Sequence, residues 1–268
     1  MCFAACHSSN PSSATDAQLT DAPSAPRCDT TQDFVVASPV AVQADFGMTS
    51  ITGDNLTALS LGSAGMAIAT RASTSNEFPA GTALDTINSS GVIDAAAITP
   101  DGLTLYYVQV NGLYVAQRAS ATVAFGGGGN VPFSIGNRVD RLALSRAHVF
   151  YESDGVWYSA PLATDGTISA APSQIPTSTD PPTPTNASPS PQIPSYDERE
   201  WYTDRVYSNA GGGEVYRWGA EGTGVFVSGS LSLMNDLLAV SPDDCDFYYS
   251  SNDDGPTTTM FVVSRPPL

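Results

Sequence analysis

An all-β ring of repeated four-stranded units is the fold class that three features of this 268-residue sequence predict. A turn followed by an aromatic pair recurs at near-constant spacing. Each copy carries the same order of short strand-like runs. Apolar residues nowhere keep a helical period, while 23 Gly and 20 Pro supply frequent turns.

The repeated motif is clearest in Ile98-Thr99-Pro100-Asp101-Gly102, which leads into Leu105-Tyr106-Tyr107. Its anchor positions fall near Thr52, Thr99, Ser145, Pro194 and Ser241, at separations of 47, 46, 49 and 47 residues. One such spacing is chance; four in succession are a repeat. Within a copy, a short run of small residues such as Ala95-Ala96-Ala97-Ile98 ends at the anchor. After the turn comes a strand with the aromatic pair, then a Gly-containing turn and a third strand, Leu113 to Arg118. A polar link reaches a fourth. Four short strands in about 40–50 residues make one blade of a β-propeller. Small or β-branched residues suit strands that line a crowded channel, and Tyr, Phe and Trp suit strands packed between blades. The expectation is a five-bladed propeller over residues 28–268, with a Pro-rich insertion at 172–194 before the fourth inner strand.

The last copy reaches Phe261–Arg265 and then Pro266-Pro267-Leu268, which leaves no outer strand for that blade. Asp33-Phe34-Val35-Val36 has strand character and precedes the first inner strand. It is expected to supply the missing strand and close the ring without a free edge. Closure places Cys28 beside the blade that holds Cys245, and a disulfide between them would lock it.

Residues 1–27 read as a separate lead. Phe3-Ala4-Ala5-Cys6 resembles a bacterial lipobox, with Cys6 as the lipidated residue, although only five residues stand where an apolar signal segment belongs. Ser8 to Arg27 is rich in Ser, Ala, Pro, Thr and Asp and reads as a disordered tether. The blade residues Ile98-Thr99-Pro100-Asp101-Gly102 with Tyr106-Tyr107, Leu113-Tyr114-Val115-Ala116 and Arg118 resemble the TolB-type, WD-like propeller repeat. So do Ser241-Pro242-Asp243 with Tyr248-Tyr249, and Ala69-Thr70-Arg71-Ala72-Ser73 leading to Phe78. The resemblance implies a bacterial envelope protein, lipid-anchored or secreted, and it implies no single activity.

Charge narrows the partners. There are 27 acidic residues and 10 basic ones, all Arg, for a net charge of −17. Such a chain repels phosphate backbones, which excludes nucleic acid and fits cations, basic proteins or neutral glycans. Asp94, Asp140 and Asp236 each stand five residues before an anchor, near the start of an inner strand. Three carboxylates at one channel mouth, flanked by Arg138 and Arg141, would suit a cationic ligand or Ca²⁺. The competing reading has each Asp tie its blade to the next by hydrogen bonds. No catalytic constellation is evident: the only histidines are His7 and His148, and nucleophile-elbow and zinc spacings are absent. Five-bladed glycosidases use channel carboxylates, so the same aspartates would serve a glycan-active protein. The expected function is a monomeric, non-catalytic scaffold that binds an envelope protein, with no required cofactor. A glycan-binding or glycan-hydrolysing propeller is the alternative.

Overall fold

The computed structural model describes residues 28–29, 34–40, 47–110, 112–135, 139–175, 192–198, 200–207, 212–219, 224–232, 234–251 and 259–268. The expected tether with Cys6, residue Arg138 and most of the Pro-rich insertion lie outside them.

The strands follow the chain as sheets of four. β1 (Val35–Val40) stands apart from its sheet in sequence. β2 (Met48–Ile51), β3 (Thr57–Gly62), β4 (Gly65–Thr70) and β5 (Thr82–Ala83) form one sheet. After the single-turn helix α1 (Asp85–Asn88) come β6 (Ile93–Ile98), β7 (Thr104–Gln109), β8 (Gly112–Gln117) and β9 (Gly129–Ser134). The next sheet is β10 (Val139–Leu144), β11 (His148–Ser153), β12 (Val156–Pro161) and β13 (Ser173–Gln174). It is followed by β14 (Gln192–Pro194), β15 (Glu200–Tyr207), β16 (Gly212–Gly219) and β17 (Gly224–Ser232). Last come β18 (Met234–Val240), β19 (Asp246–Ser251) and β20 (Thr259–Ser264), and β1 pairs antiparallel with β20 as their fourth strand. The first strands neighbour one another in the order β2, β6, β10, β14, β18 and back to β2, so they line a central channel.

The expectation of a five-bladed propeller needs correction. Four sheets follow one plan, with middle strands of six residues paired without a break. The sheet β14–β17 does not. Its inner strand has three residues, its middle strands have eight, and the β16–β17 register shifts twice. The Pro-Asp-Gly turn is missing there, and glycines at 212, 213, 219 and 224 leave register weakly specified. The regular propeller is therefore four blades, with this fourth sheet in sequence an irregular member of the ring.

The aromatic pairs have a simple physical origin. Every residue of β7 is buried. Alternation sends Leu105 and Tyr107 toward Leu59 and Met66 of the preceding blade, and Tyr106 and Val108 toward Leu142, Val149 and Tyr151 of the next. Tyr248 likewise packs with Met48 and Ala58, while Phe247 and Tyr249 pack with Tyr202 and Phe34. A strand between two blades must be apolar on both faces, which gives a continuous rather than an alternating run.

The anchor turns are held by one device. Thr52, Thr99 and Ser241 each donate a side-chain hydrogen bond to the Asp two residues on, at 2.5–2.6 Å. The same hydroxyl accepts from the backbone N–H at the start of the next strand. Ser195, one residue beyond the expected Pro194, donates to Asp197 at 2.9 Å. Among the described residues, three blades add a clasp in which the Arg just after the third strand lies over a Phe ring: Arg71 over Phe78, Arg118 over Phe125, and Arg265 over Phe34, at 4.3–4.6 Å. In the last, the Phe precedes β1. Cys28 and Cys245 form a disulfide beside it, with Cα atoms 5.6 Å apart, and Asp29 N–H donates to the Pro266 carbonyl at 2.9 Å.

Candidate functional site

The inner strands enclose an open cavity of about 300 Å³ along the channel. Its two ends differ. At the N-terminal ends of the strands it meets Asp94, Asp140, Arg141 and Trp157. At the anchor end it meets Pro100, Leu144, Ile193 and Val240, with Ala95–Ala97 and Ala143 between. Between the ends the wall is made mainly of small and apolar side chains. Ser50 is an exception with a partner: its hydroxyl donates to the Ile98 carbonyl at 3.2 Å and accepts from the Ile98 N–H at 3.1 Å, joining neighbouring inner strands.

The strand ends also explain how the two carboxylates are presented. The β6–β7 register skips Asp94, and the β10–β11 register skips Asp140. Each is the extra residue of a β-bulge, which turns a side chain out of the ladder. Both are exposed. Arg141, half-buried, is the first residue after the second bulge. Asp236 is placed by its backbone on β18, paired with Ser250 rather than bulged. The structure thus brings Asp94, Asp140 and Arg141 to one cavity and gives Asp236 a different place in its ladder. Among the described residues, no group of three His, Cys, Asp or Glu side chains is placed to hold a metal ion.

Trp157 was not singled out by sequence reasoning. It is the second residue of β12, a strand expected only to pack between blades, and pairs with Glu152 near the end of β11. Since β11 runs antiparallel to β10, that end of the hairpin returns to the mouth beside Asp140. The signal was available in the register, not in the residue type.

The anchor end carries different chemistry. Ser145 lacks the turn Asp of the other blades. Its hydroxyl donates to Glu198 of the next blade, which also meets His148 Nδ1 at 2.7 Å. Ser145 and His148 both contact the same carboxylate oxygen, so His148 is not placed to take a proton from Ser145, and the trio reads as an inter-blade tie. Tyr106 donates to the Gly166 carbonyl, and burial, with Asp165 and Asp101 nearby, pushes its pKa well above the usual phenol range. Tyr151 is pushed up to about 12 by burial, with a smaller contribution from the stacked Tyr158 ring.

These features define an all-β propeller with an open, asymmetric channel. No protein-family model and no curated protein sequence matches the chain. Solved structures share its shape. A thermostable family-43 glycoside hydrolase aligns at TM-score 0.53 and 13% identity, covering 87% of this chain and 98% of that one. A TolB homologue from Agrobacterium tumefaciens aligns at 0.47 and 13%, covering 83% and 78%. Kuenenia stuttgartiensis hydrazine synthase aligns at 0.40 and 14%; this chain is covered over 79% and spans 58% of that chain. At such identities the likeness is one of fold.

Proposed function

We propose that the protein is a non-catalytic binding propeller of the bacterial envelope, and that it engages a cationic partner protein at the acidic mouth of its channel. The observation that carries the reading is the pair of bulged carboxylates, Asp94 and Asp140, at one end of an open channel. The channel is open and lined by both charged and apolar side chains, which gives a bound group room and polar anchors. The exposure of both carboxylates argues for recognition rather than catalysis, because a carboxylic acid acting as a general acid relies on a desolvated setting. A net charge of −17 attracts a basic partner over distance. A lipid anchor at Cys6 belongs to the same proposal.

Trp157 beside Asp140 favours a second reading, a glycan stacked on the indole with its hydroxyls on the carboxylates. One experiment separates the two. Cross-linked capture from a native envelope fraction is compared with capture by a variant carrying Asp94→Asn and Asp140→Asn. A protein recovered by the parent and lost by the variant supports the scaffold. Recovery of polysaccharide transfers the site to the glycan reading, and equal recovery by both chains removes it from the mouth.

A further inference from the structure

Because the two ends of the channel differ in chemistry, a ligand spanning it must differ end to end. We infer that the channel takes an ammonium group carried on an apolar chain, with the cation at Asp94 and Asp140 and the chain running toward Leu144, Ile193 and Val240. This rests on the mouth being the binding site and names the group it receives.

Four observations converge. First, the charged groups of the cavity sit at one end, two carboxylates to one guanidinium, among the described residues. The protein as a whole is strongly negative, which favours a cation over an anion. Second, Trp157 lines that same end, and an indole face holds an alkylammonium by cation–π attraction. Third, from Asp94 the strand β6 continues as Ala95, Ala96, Ala97 and Ile98, and from Asp140 the strand β10 continues past Arg141 as Leu142, Ala143 and Leu144. At about 3.3 Å per residue, the four steps from Asp94 to Ile98 give an apolar track of about 13 Å. Ala143, Leu144, Ile193 and Val240 keep part of their surface uncovered along it, which is where a chain would be buried. Fourth, Thr49, the residue skipped by the β2–β3 register, lines the cavity and has a buried hydroxyl with no hydrogen-bond partner among the described residues. A buried hydroxyl left unpaired is costly and marks a place where a hydrogen-bond partner is wanted. An ammonium carries hydrogen-bond donors that such a hydroxyl can accept from; a bare hydrocarbon does not.

The inference forbids the two simpler ligands. A free small cation would leave the apolar track empty, and a neutral hydrocarbon would gain nothing from the carboxylates. It also gives binding a length dependence. Burying one methylene is worth about fourfold in affinity, so tighter binding should accompany each added carbon until the track is filled.

The test is calorimetric titration of the full chain at low salt with n-butylamine, n-hexylamine and n-octylamine, and with hexanol and hexanoate as controls. Expected is an affinity that rises about fourfold per methylene and exceeds that of both controls by tenfold or more. Asp94→Asn with Asp140→Asn should lower amine affinity at least tenfold while the variant still unfolds in one cooperative transition. Ala143→Leu, which narrows the track, should remove the gain from butyl to octyl and keep the butylamine signal. Equal binding of hexanol or hexanoate, or no dependence on chain length, overturns the inference. A final arm adds n-octylamine to the envelope capture. Displacement of the captured protein shows that the partner presents this group. Tight amine binding with the captured protein undisturbed keeps the inference, assigns the channel to a small molecule, and refutes only the protein-partner reading.

Discussion

Removing the Cys28–Cys245 disulfide tests whether the ring is held shut through its N-terminal segment. The bond joins residues 217 apart in sequence. In the chain-entropy treatment a loop of that length costs the unfolded chain about 18 cal/mol/K, or about 5 kcal/mol at 25 °C, with measured values commonly 2–5 kcal/mol. For a domain of this size each kcal/mol moves the melting temperature by roughly 2–4 °C. The double variant Cys28→Ser, Cys245→Ser should therefore melt about 10 °C lower, and its guanidinium transition should steepen because the freed unfolded chain exposes more surface. The assay is thermal and denaturant unfolding of parent, reduced parent and variant. Both cysteines are buried, so packing needs a control. If the loss comes from the cross-link, the reduced parent matches the variant; if it comes from cavities, the reduced parent keeps its stability. A fall of under about 2 °C in the variant would refute the lock. It would mean that β1 and the Arg265–Phe34 clasp close the ring unaided.

Three other outcomes follow from named contacts. Val110 is a β-branched residue at φ 45°, 75% exposed in the β7–β8 turn, so Val110→Gly relieves strain and should raise stability by about 1 kcal/mol in denaturant melts. Ser50→Ala removes the bridge to both backbone groups of Ile98 and should cost about 1–3 kcal/mol, read in the same melts. The folded pKa of Tyr151, about 12, lies above the ordinary phenol value of 10.0. The folded state thus holds its proton more tightly, so this contribution is fully present below pH 10 and is lost as pH rises toward 12. Tyrosinate absorbance should lag a free-tyrosine titration, and Tyr151→Phe should keep more stability than the parent above pH 10.

How much of this was legible in the sequence depended on the range of the interactions. The repeat was plain because each anchor turn is local: a hydroxyl, a carboxylate two residues later and an amide at the next strand fit within six residues. The aromatic pair was plain because a strand between two blades must be apolar on both faces. The fourth sheet was misjudged as an ordinary copy because spacing alone preserves the count of residues, not their division among strands. Its longer hairpin takes up residues that the repeat assigns to turns. Asp94 and Asp140 could be named from their offset, but the bulges that present them are properties of pairing. Trp157 was missed for the same reason, since only the return of the β11–β12 hairpin brings it to the mouth.

The Arg–Phe clasp joins these scales. In two blades the Phe follows its Arg by seven residues, at Phe78 after Arg71 and Phe125 after Arg118. That offset needs only one fourth-strand link of constant length. Arg265 has the same backbone setting, with its Nε donating to the Asp244 carbonyl as that of Arg71 donates to Asn55 and that of Arg118 to Gly102. Its Phe comes from position 34. The clasp therefore reads the side chain and not the connectivity. That is the physical requirement for a ring closed by a strand from the other end of the chain: the closing segment must offer the contacts a continuous blade would have offered. Phe34 meets it further by lying edge-on to Phe247 at 4.9 Å and to Tyr202 at 6.1 Å, on the side where the irregular sheet meets the closing blade. Phe34→Ala removes the clasp and both ring contacts together. It should cost about 3–5 kcal/mol, whereas Phe34→Leu, which keeps volume without a π face, should cost clearly less. Equal losses for the two would show that the ring face contributes nothing and that closure depends on bulk alone.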